Sequence, residues 1–203
     1  MQLVLATENL HKIRELKSIL KPLLKDVDIF SLKDFPPYEA PPETGKTFGE
    51  NAILKAEAAA KHLGIYAIAD DSGLVVPALG GRPGIYSRRY AGETCTEKES
   101  LDKLISELKN LREEERSGYF ECAIAFASPE KLIKITAGFC EGSLIVEPRG
   151  RRGFGYDSIF IKYDYSKTLA EIEEEVKNRI SHRRKALDKM ILTVETELLA
   201  TTL

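Results

Sequence analysis

The hydrophobic pattern opens with a short apolar run, residues 2–6, and then changes to Ile13, Leu16 and Leu20 at helical spacing. That change of period predicts a strand, a tight turn and a helix starting near Leu10. Residues 33–46 hold Pro36, Pro37, Pro41 and Pro42 among acidic side chains and read as an extended loop, richer than a connector needs. Thr47 and Glu50 have capping-box spacing ahead of an Ala-rich run ending at Gly64, which predicts a helix. Residues 65–69 and 74–76 read as strands flanking Asp70-Asp71-Ser72-Gly73, a segment with turn chemistry.

Gly80, Gly81, Pro83, Gly84 and Gly92 interrupt the pattern before a second capping box, Thr96 and Glu99. Leu101, Leu104, Ile105, Leu108 and Leu111 then mark an amphipathic helix. Residues 119–127 and 131–139 are strand-like and joined by Ser128-Pro129-Glu130, which predicts an antiparallel hairpin and hence a mixed sheet. Further strands are expected at 144–147 and 159–161, a capping box at Thr168 and Glu171, and a last helix after Ser181. No repeat, low-complexity tract or linker divides the chain, so residues 1–203 are expected to form one domain.

With 203 residues, 43% of them hydrophobic, the chain can bury a substantial core. Thirty Lys plus Arg against 32 Asp plus Glu leave a net charge of −2, which argues against a nucleic-acid partner. Cys95, Cys122 and Cys140 are odd in number and widely spaced, as expected for reduced thiols in a cytoplasmic protein. The opening Met1-Gln2-Leu3-Val4-Leu5 lacks the basic lead of a signal peptide and the length of a membrane span, so no membrane association is expected.

Four segments carry chemistry. Adjacent carboxylates Asp70 and Asp71 at a strand end suit a divalent cation such as Mg²⁺, and the same tetrapeptide also fits an acidic turn. Thr7, Glu8, Asn9, Leu10, His11 and Lys12 occupy a strand-to-helix junction, where backbone N–H groups and the helix dipole attract an anion. Thr7 there fits equally well as an N-cap. No Gly-rich run ends in Gly-Lys-Ser/Thr, which argues against P-loop chemistry. Ser181 is placed as the N-cap of an expected helix whose first turn holds His182, Arg183, Arg184 and Lys185, with Lys177 just upstream. Cations at that end cost roughly 0.3–1 kcal/mol each at exposed sites, so either an electron-rich partner or solvent must offset them. The loop from Arg149 to Asp157 alternates Gly and Arg around Phe154 and Tyr156: an aromatic ring to stack on a base, and Asp157 to accept from ring N–H groups, or a structural turn with a core aromatic.

Seven motifs appear in one order: Thr7-x-Asn9-x-x-Lys12, Glu43-Thr44-Gly45, Thr47-Phe48-x-Glu50-Asn51-Ala52, Ala69-Asp70-Asp71-Ser72-Gly73-Leu74, Pro83-Gly84-Ile85-Tyr86-Ser87, Gly153-Phe154-Gly155-Tyr156-Asp157 and Ser181-His182-Arg183. Over nearly the whole chain this resembles the inosine/xanthosine triphosphate pyrophosphatase family. The resemblance implies an α/β fold with an elongated mixed central sheet, flanking helices and two lobes with a nucleotide cleft between them. It implies a homodimer that uses Mg²⁺ to hydrolyse non-standard purine nucleoside triphosphates (XTP, ITP, dITP) to the monophosphate and pyrophosphate.

The same resemblance makes Asp71 the general base and a metal contact, Glu43 the second metal-linked carboxylate and Asp70 their support. Residues Thr7 to Lys12 would hold the phosphates and Ser72 would touch substrate. Phe154, Gly155, Tyr156 and Asp157, with Lys177, His182 and Arg183, would enclose the base. Glu50, Asn51 and Lys55 would brace the metal or phosphates, although the capping box alone accounts for Glu50. Glu8 stands where glycine is frequent, Arg88 replaces a small residue and Ser158 a proline; an inward Glu8 would repel triphosphate, so it is expected to face solvent or a cation. Hypoxanthine and xanthine present a 6-keto oxygen and a ring N–H, for which His182 and Arg183 are suitable donors. The competing expectations are a related pyrophosphatase for pyrimidine or modified nucleotides, and a nucleotide-binding regulator, against which Glu43, Asp70 and Asp71 argue.

Overall fold

A computed structural model describes residues 1–200 of the chain. Its elements run β1 (Gln2–Leu5), α1 (Leu10–Leu20), β2 (Asp28–Ser31), α2 (Phe48–Leu63), β3 (Tyr66–Val75), α3 (Glu97–Leu108), β4 (Ser117–Ala127), β5 (Leu132–Leu144), β6 (Phe160–Lys162), α4 (Glu174–Ile180) and α5 (His182–Ala200). The strands are ordered β2-β1-β3-β4-β5-β6. β1 is parallel to both neighbours, with Leu3 opposite Ile29 and Tyr66, whereas β6 is antiparallel to β5, with Ile161 opposite Ser143. The fold is therefore α/β with a mixed six-stranded sheet.

The chain divides into two compact units. The first comprises Met1–Asp71, Cys122–Gly138 and the helix from His182; the second comprises Ser72–Glu121 and Phe139–Ser181.

In the first unit α1 buries Leu16, Ile19 and Leu20 against Leu3 and Leu5 of β1 and Ile124 and Phe126 of β4. Leu187, Met190, Val194 and Leu198 of α5, spaced three or four apart, join the same core. Each buried Leu or Met contributes about 1.5–3 kcal/mol relative to exposure, so the amphipathic stripe explains why these segments are helices in this context. α2 buries Ala52, Ala56, Ala59 and Ala60 and ends at Gly64, whose φ of +69° is a left-handed cap that favours a residue without Cβ. In the second unit Leu104 and Leu108 of α3 pack with Leu74, Phe120 and Phe160, the two rings 4.8 Å apart. Thr96 and Glu99 form the expected reciprocal capping box at the start of α3.

Several elements differ from the sequence reading. β3 is continuous, so Asp70 and Asp71 lie within a strand and form no turn. No separate strand forms at 144–147: β5 runs on through Gly138 and Gly142 and ends at Leu144, and residues 145–147 lie outside any strand. Both glycines mark close approach: a Cβ at Gly138 would collide with the His182 carbonyl and the Ala186 amide of α5, and one at Gly142 with the Ile161 carbonyl of β6. β2 is a further strand, four residues at the sheet edge and too short to show a period. Thr47 caps α2 through the Glu50 amide at 3.1 Å, but the Glu50 carboxylate takes the Lys46 amide instead of closing the box. Thr168 and Glu171 make one such bond, 2.8 Å, in a turn that starts no helix. Among the described residues no helix is long and apolar enough to cross a membrane.

Candidate active site

β1 ends where β3 continues: Leu5 is the last β1 residue in register with β3, opposite Ile68, and the two aspartates follow. In open α/β sheets ligands bind outside the carboxyl ends of parallel strands. Successive strand residues leave opposite faces, and Asp70 and Asp71 accordingly have different partners. Asp70 is fully buried; its Oδ2 accepts from Lys12 Nζ at 3.0 Å and from Arg183 Nη2 and Nε at 3.1 and 3.3 Å. Arg183 also pairs with Glu15 through Nη1, so one buried guanidinium joins α1, β3 and α5. Burial alone would raise the Asp70 pKa, but Lys12 and Arg183 outweigh it and hold the carboxyl well below its usual range.

Asp71 is 7% exposed. Its Oδ2 accepts from Asn51 Nδ2 at 3.0 Å, and Lys55 Nζ lies 3.5 Å from its Oδ1. Lys55 also donates to Glu43 Oε1 at 2.9 Å. Here burial prevails: desolvation raises the Asp71 pKa, Glu43 adds to it, and Lys55, Lys12 and Asn51 offset it only in part. Lys55 itself is raised, because Asp71, Asp70 and Glu43 overcome its own desolvation. The cluster thus sets four carboxylates, Asp70, Asp71, Glu15 and Glu43, against three cations, Lys12, Lys55 and Arg183.

The cap of α1 is Asn9 rather than Thr7. Asn9 Oδ1 accepts from the His11 and Lys12 amides at 2.9 and 3.3 Å, while Thr7 Oγ1 accepts from the Asn9 amide at 3.2 Å. The two helix amides most suited to an anion are therefore held by Asn9, for which an anion must substitute. Glu8, Leu10 and His11 are exposed, and Lys12 reaches inward to Asp70.

In the second unit Asp157 is buried and its Oδ2 accepts from the Phe154 amide at 2.9 Å and from Lys177 Nζ at 2.6 Å. Lys177 Nζ also lies 4.8 Å from the centre of the Phe154 ring, a cation–π distance. A Cβ at Gly153, whose φ is +73°, would collide with Asp157 Oδ2, so that glycine lets the turn close. The Gly155 amide donates to Glu97 Oε2 at 3.1 Å. Tyr156 is a core aromatic, 5% exposed, and its hydroxyl donates to the Ser87 carbonyl at 2.8 Å. Ser72 is half-buried in the same unit.

Two expectations change. Arg183 is 1% exposed with its guanidinium on Asp70 and Glu15, which places it as a brace and not as an accessible donor to a base. The anions that offset the cationic start of α5 are the protein's own: Asp70 and Glu15 for Arg183, and Asp188, 2.7 Å from Arg184 Nε. His182 lies in the first unit and is buried. Glu15 escaped sequence reasoning; its only signal was a carboxylate beside Leu16 within the apolar stripe of α1.

Among the described residues no three His, Cys, Asp or Glu side chains gather as a ready-made metal cage. Glu43 and Asp71 supply hard oxygen donors on either side of Lys55. That donor set fits Mg²⁺, which binds through one or two carboxylates and completes its shell with water and substrate phosphates. Asp70, engaged by two cations, fits a supporting role.

A mixed α/β sheet that gathers lysines and carboxylates beside a helix start has the chemistry of a phosphate-handling α/β protein. The profile of the Ham1 family matches residues 3–193, and the chain belongs to that family. It is 54% identical over 196 residues to the dITP/XTP pyrophosphatase of Protochlamydia amoebophila, covering 96% of this chain and 98% of that one. It is 47% identical over 192 residues to the dITP/XTP pyrophosphatase of Bacillus subtilis, covering 95% and 96%. The solved Ham1 protein of Staphylococcus aureus superposes with a TM-score of 0.84 at 40% identity, covering 97% of this chain and 100% of that one.

Proposed function

We infer that this chain hydrolyses non-standard purine nucleoside triphosphates, XTP, ITP and dITP, to the monophosphate and pyrophosphate. The observation that carries the reading is identity of 54% across 98% of a relative named dITP/XTP pyrophosphatase. The chemistry of the first unit is in keeping with it. A triphosphate carries about four negative charges, so water attacks slowly until the oxygens are neutralised and the nucleophile is held in place. Lys12, at the start of α1, offers positive charge to the phosphates. Asp71, whose burial strengthens its grip on a proton, is assigned as the base that orients and deprotonates a water for attack on the α-phosphorus, with pyrophosphate leaving. Mg²⁺, the proposed cofactor, would neutralise phosphate oxygens when held by Glu43 and Asp71.

In the second unit Phe154 offers a ring face and Lys177 an ammonium suited to a purine, with Asp157 holding both in place. Cys95, Cys122 and Cys140, odd in number and widely spaced, support a cytoplasmic location, and the family resemblance supports a homodimer.

The test is pyrophosphate release from ITP, XTP, dITP, GTP, dTTP and UTP with Mg²⁺. ITP, XTP and dITP should lead in kcat/KM by about tenfold or more. A lead for dTTP or UTP would transfer the chain to the pyrimidine or modified-nucleotide class, and binding without pyrophosphate release would make it a regulator.

A further inference from the structure

Asn51 and Lys55 lie four residues apart on one face of α2, and both side chains span the same gap. Lys55 joins Glu43 to Asp71 through its ammonium. Asn51 joins the adjoining loop to Asp71 through both ends of its carboxamide: Oδ1 accepts from the Gly45 amide at 2.8 Å and Nδ2 donates to Asp71 Oδ2 at 3.0 Å. Asn51 is fully buried, and a buried amide bonded at both ends is costly to disturb. The loop it holds has neither helix nor strand between residues 35 and 46. It rests on α2 through a few contacts: the Glu43–Lys55 pair, the Lys46 amide on Glu50, the Gly45 amide on Asn51, and the Tyr38 ring stacked on His62 at 4.9 Å. Gly45 is essential to that approach, since a Cβ there would lie 2.6 Å from Asn51 Oδ1.

The terminal torsion of an aspartate is broad and roughly two-fold, so the buried donor on Oδ2, with Lys55 3.5 Å from Oδ1, decides which oxygen faces which way. We propose that Asn51 is a positioning residue for hydrolysis: its amide fixes Asp71 Oδ2, turns Oδ1 to the reactive side, and through Gly45 sets the spacing between Asp71 and Glu43. The inference rests on the assignment of Asp71 as the base.

Asn51→Asp and Asn51→Ala separate the two ends of the carboxamide. Asn51→Asp keeps the acceptor for Gly45 and removes the donor to Asp71; Asn51→Ala removes both. With ITP, both variants should lose about 100-fold in kcat while KM stays within about threefold. Backbone amide exchange at 43–46, measured by mass spectrometry without substrate, should quicken in Asn51→Ala and stay near wild type in Asn51→Asp. Retention of kcat within about threefold in Asn51→Asp would overturn the proposal and leave Asn51 a loop clamp, as would a loss confined to KM. Absence of ITP turnover in the wild type would overturn the functional reading instead, and the exchange result would still judge the clamp.

Discussion

Asp70 and Asp71 are neighbours in β3, yet burial ends differently for each. Asp70 loses its proton more readily than its ordinary pKa of 3.8, because Lys12 and Arg183 more than offset desolvation. Its stabilising contribution is present above 3.8 and is lost only as pH falls through the lower folded value. Asp71 is raised above 3.8, so its ionised form costs the fold free energy at neutral pH, and that cost fades as pH falls through the folded value. Asp71→Asn should therefore melt at or above the wild-type temperature near neutral pH in EDTA, with the gap closing towards the acidic range, while turnover falls by about 10²–10⁴. A lower melting temperature together with intact turnover would contradict both assignments. Glu15→Gln removes one partner from an Arg183 that is 1% exposed, and a buried pair broken on one side typically costs about 3–5 kcal/mol, readable by urea unfolding. Arg183→Ala should lower turnover of ITP and XTP alike without changing their ratio to ATP; a collapse of that ratio would restore Arg183 as a reader of the base.

At the scale of elements, the helices were largely legible and parts of the sheet were not. α1, α3 and α5 announce themselves because local periodicity and flanking cap residues act within a few turns. Asp, Ser and Gly have turn chemistry and so read as a break in β3, whereas β3 is an interior strand between β1 and β4 whose two aspartates meet Lys12, Arg183 and Lys55 from segments distant in sequence. The expected strand stops at 139 because Gly142 reads as a break, whereas Gly142, like Gly138 inside the strand, is where another backbone comes close. Gly138→Ala tests this: lifting the first turn of α5 off β5 should lower the melting temperature and shift Arg183, reducing turnover as well. Unchanged stability would show that the approach has slack. Asp71, Glu43 and Lys12 lie in the family-like motifs and Lys55 on the adjacent helix, but the burial of Arg183 and Tyr156 and the role of Glu15 depend on tertiary contacts that spacing does not encode.

For the whole molecule, a net charge of −2 gives no overall positive field, and Lys12, Lys55 and Arg183 pair with the protein's own carboxylates. A triphosphate must then compete with Asp70 for Lys12, so turnover should weaken only modestly with monovalent salt while remaining strictly dependent on Mg²⁺. Sedimentation should give twice the chain mass at micromolar concentration if the homodimer is correct; a single-chain mass would remove it. The central claim, water directed at the α-phosphorus of a non-standard purine triphosphate, is tested most directly by hydrolysing ITP with Mg²⁺ in oxygen-18 water and weighing the products. The label should enter the nucleoside monophosphate and leave pyrophosphate unlabelled. Label in pyrophosphate, or release of orthophosphate in its place, would contradict the account.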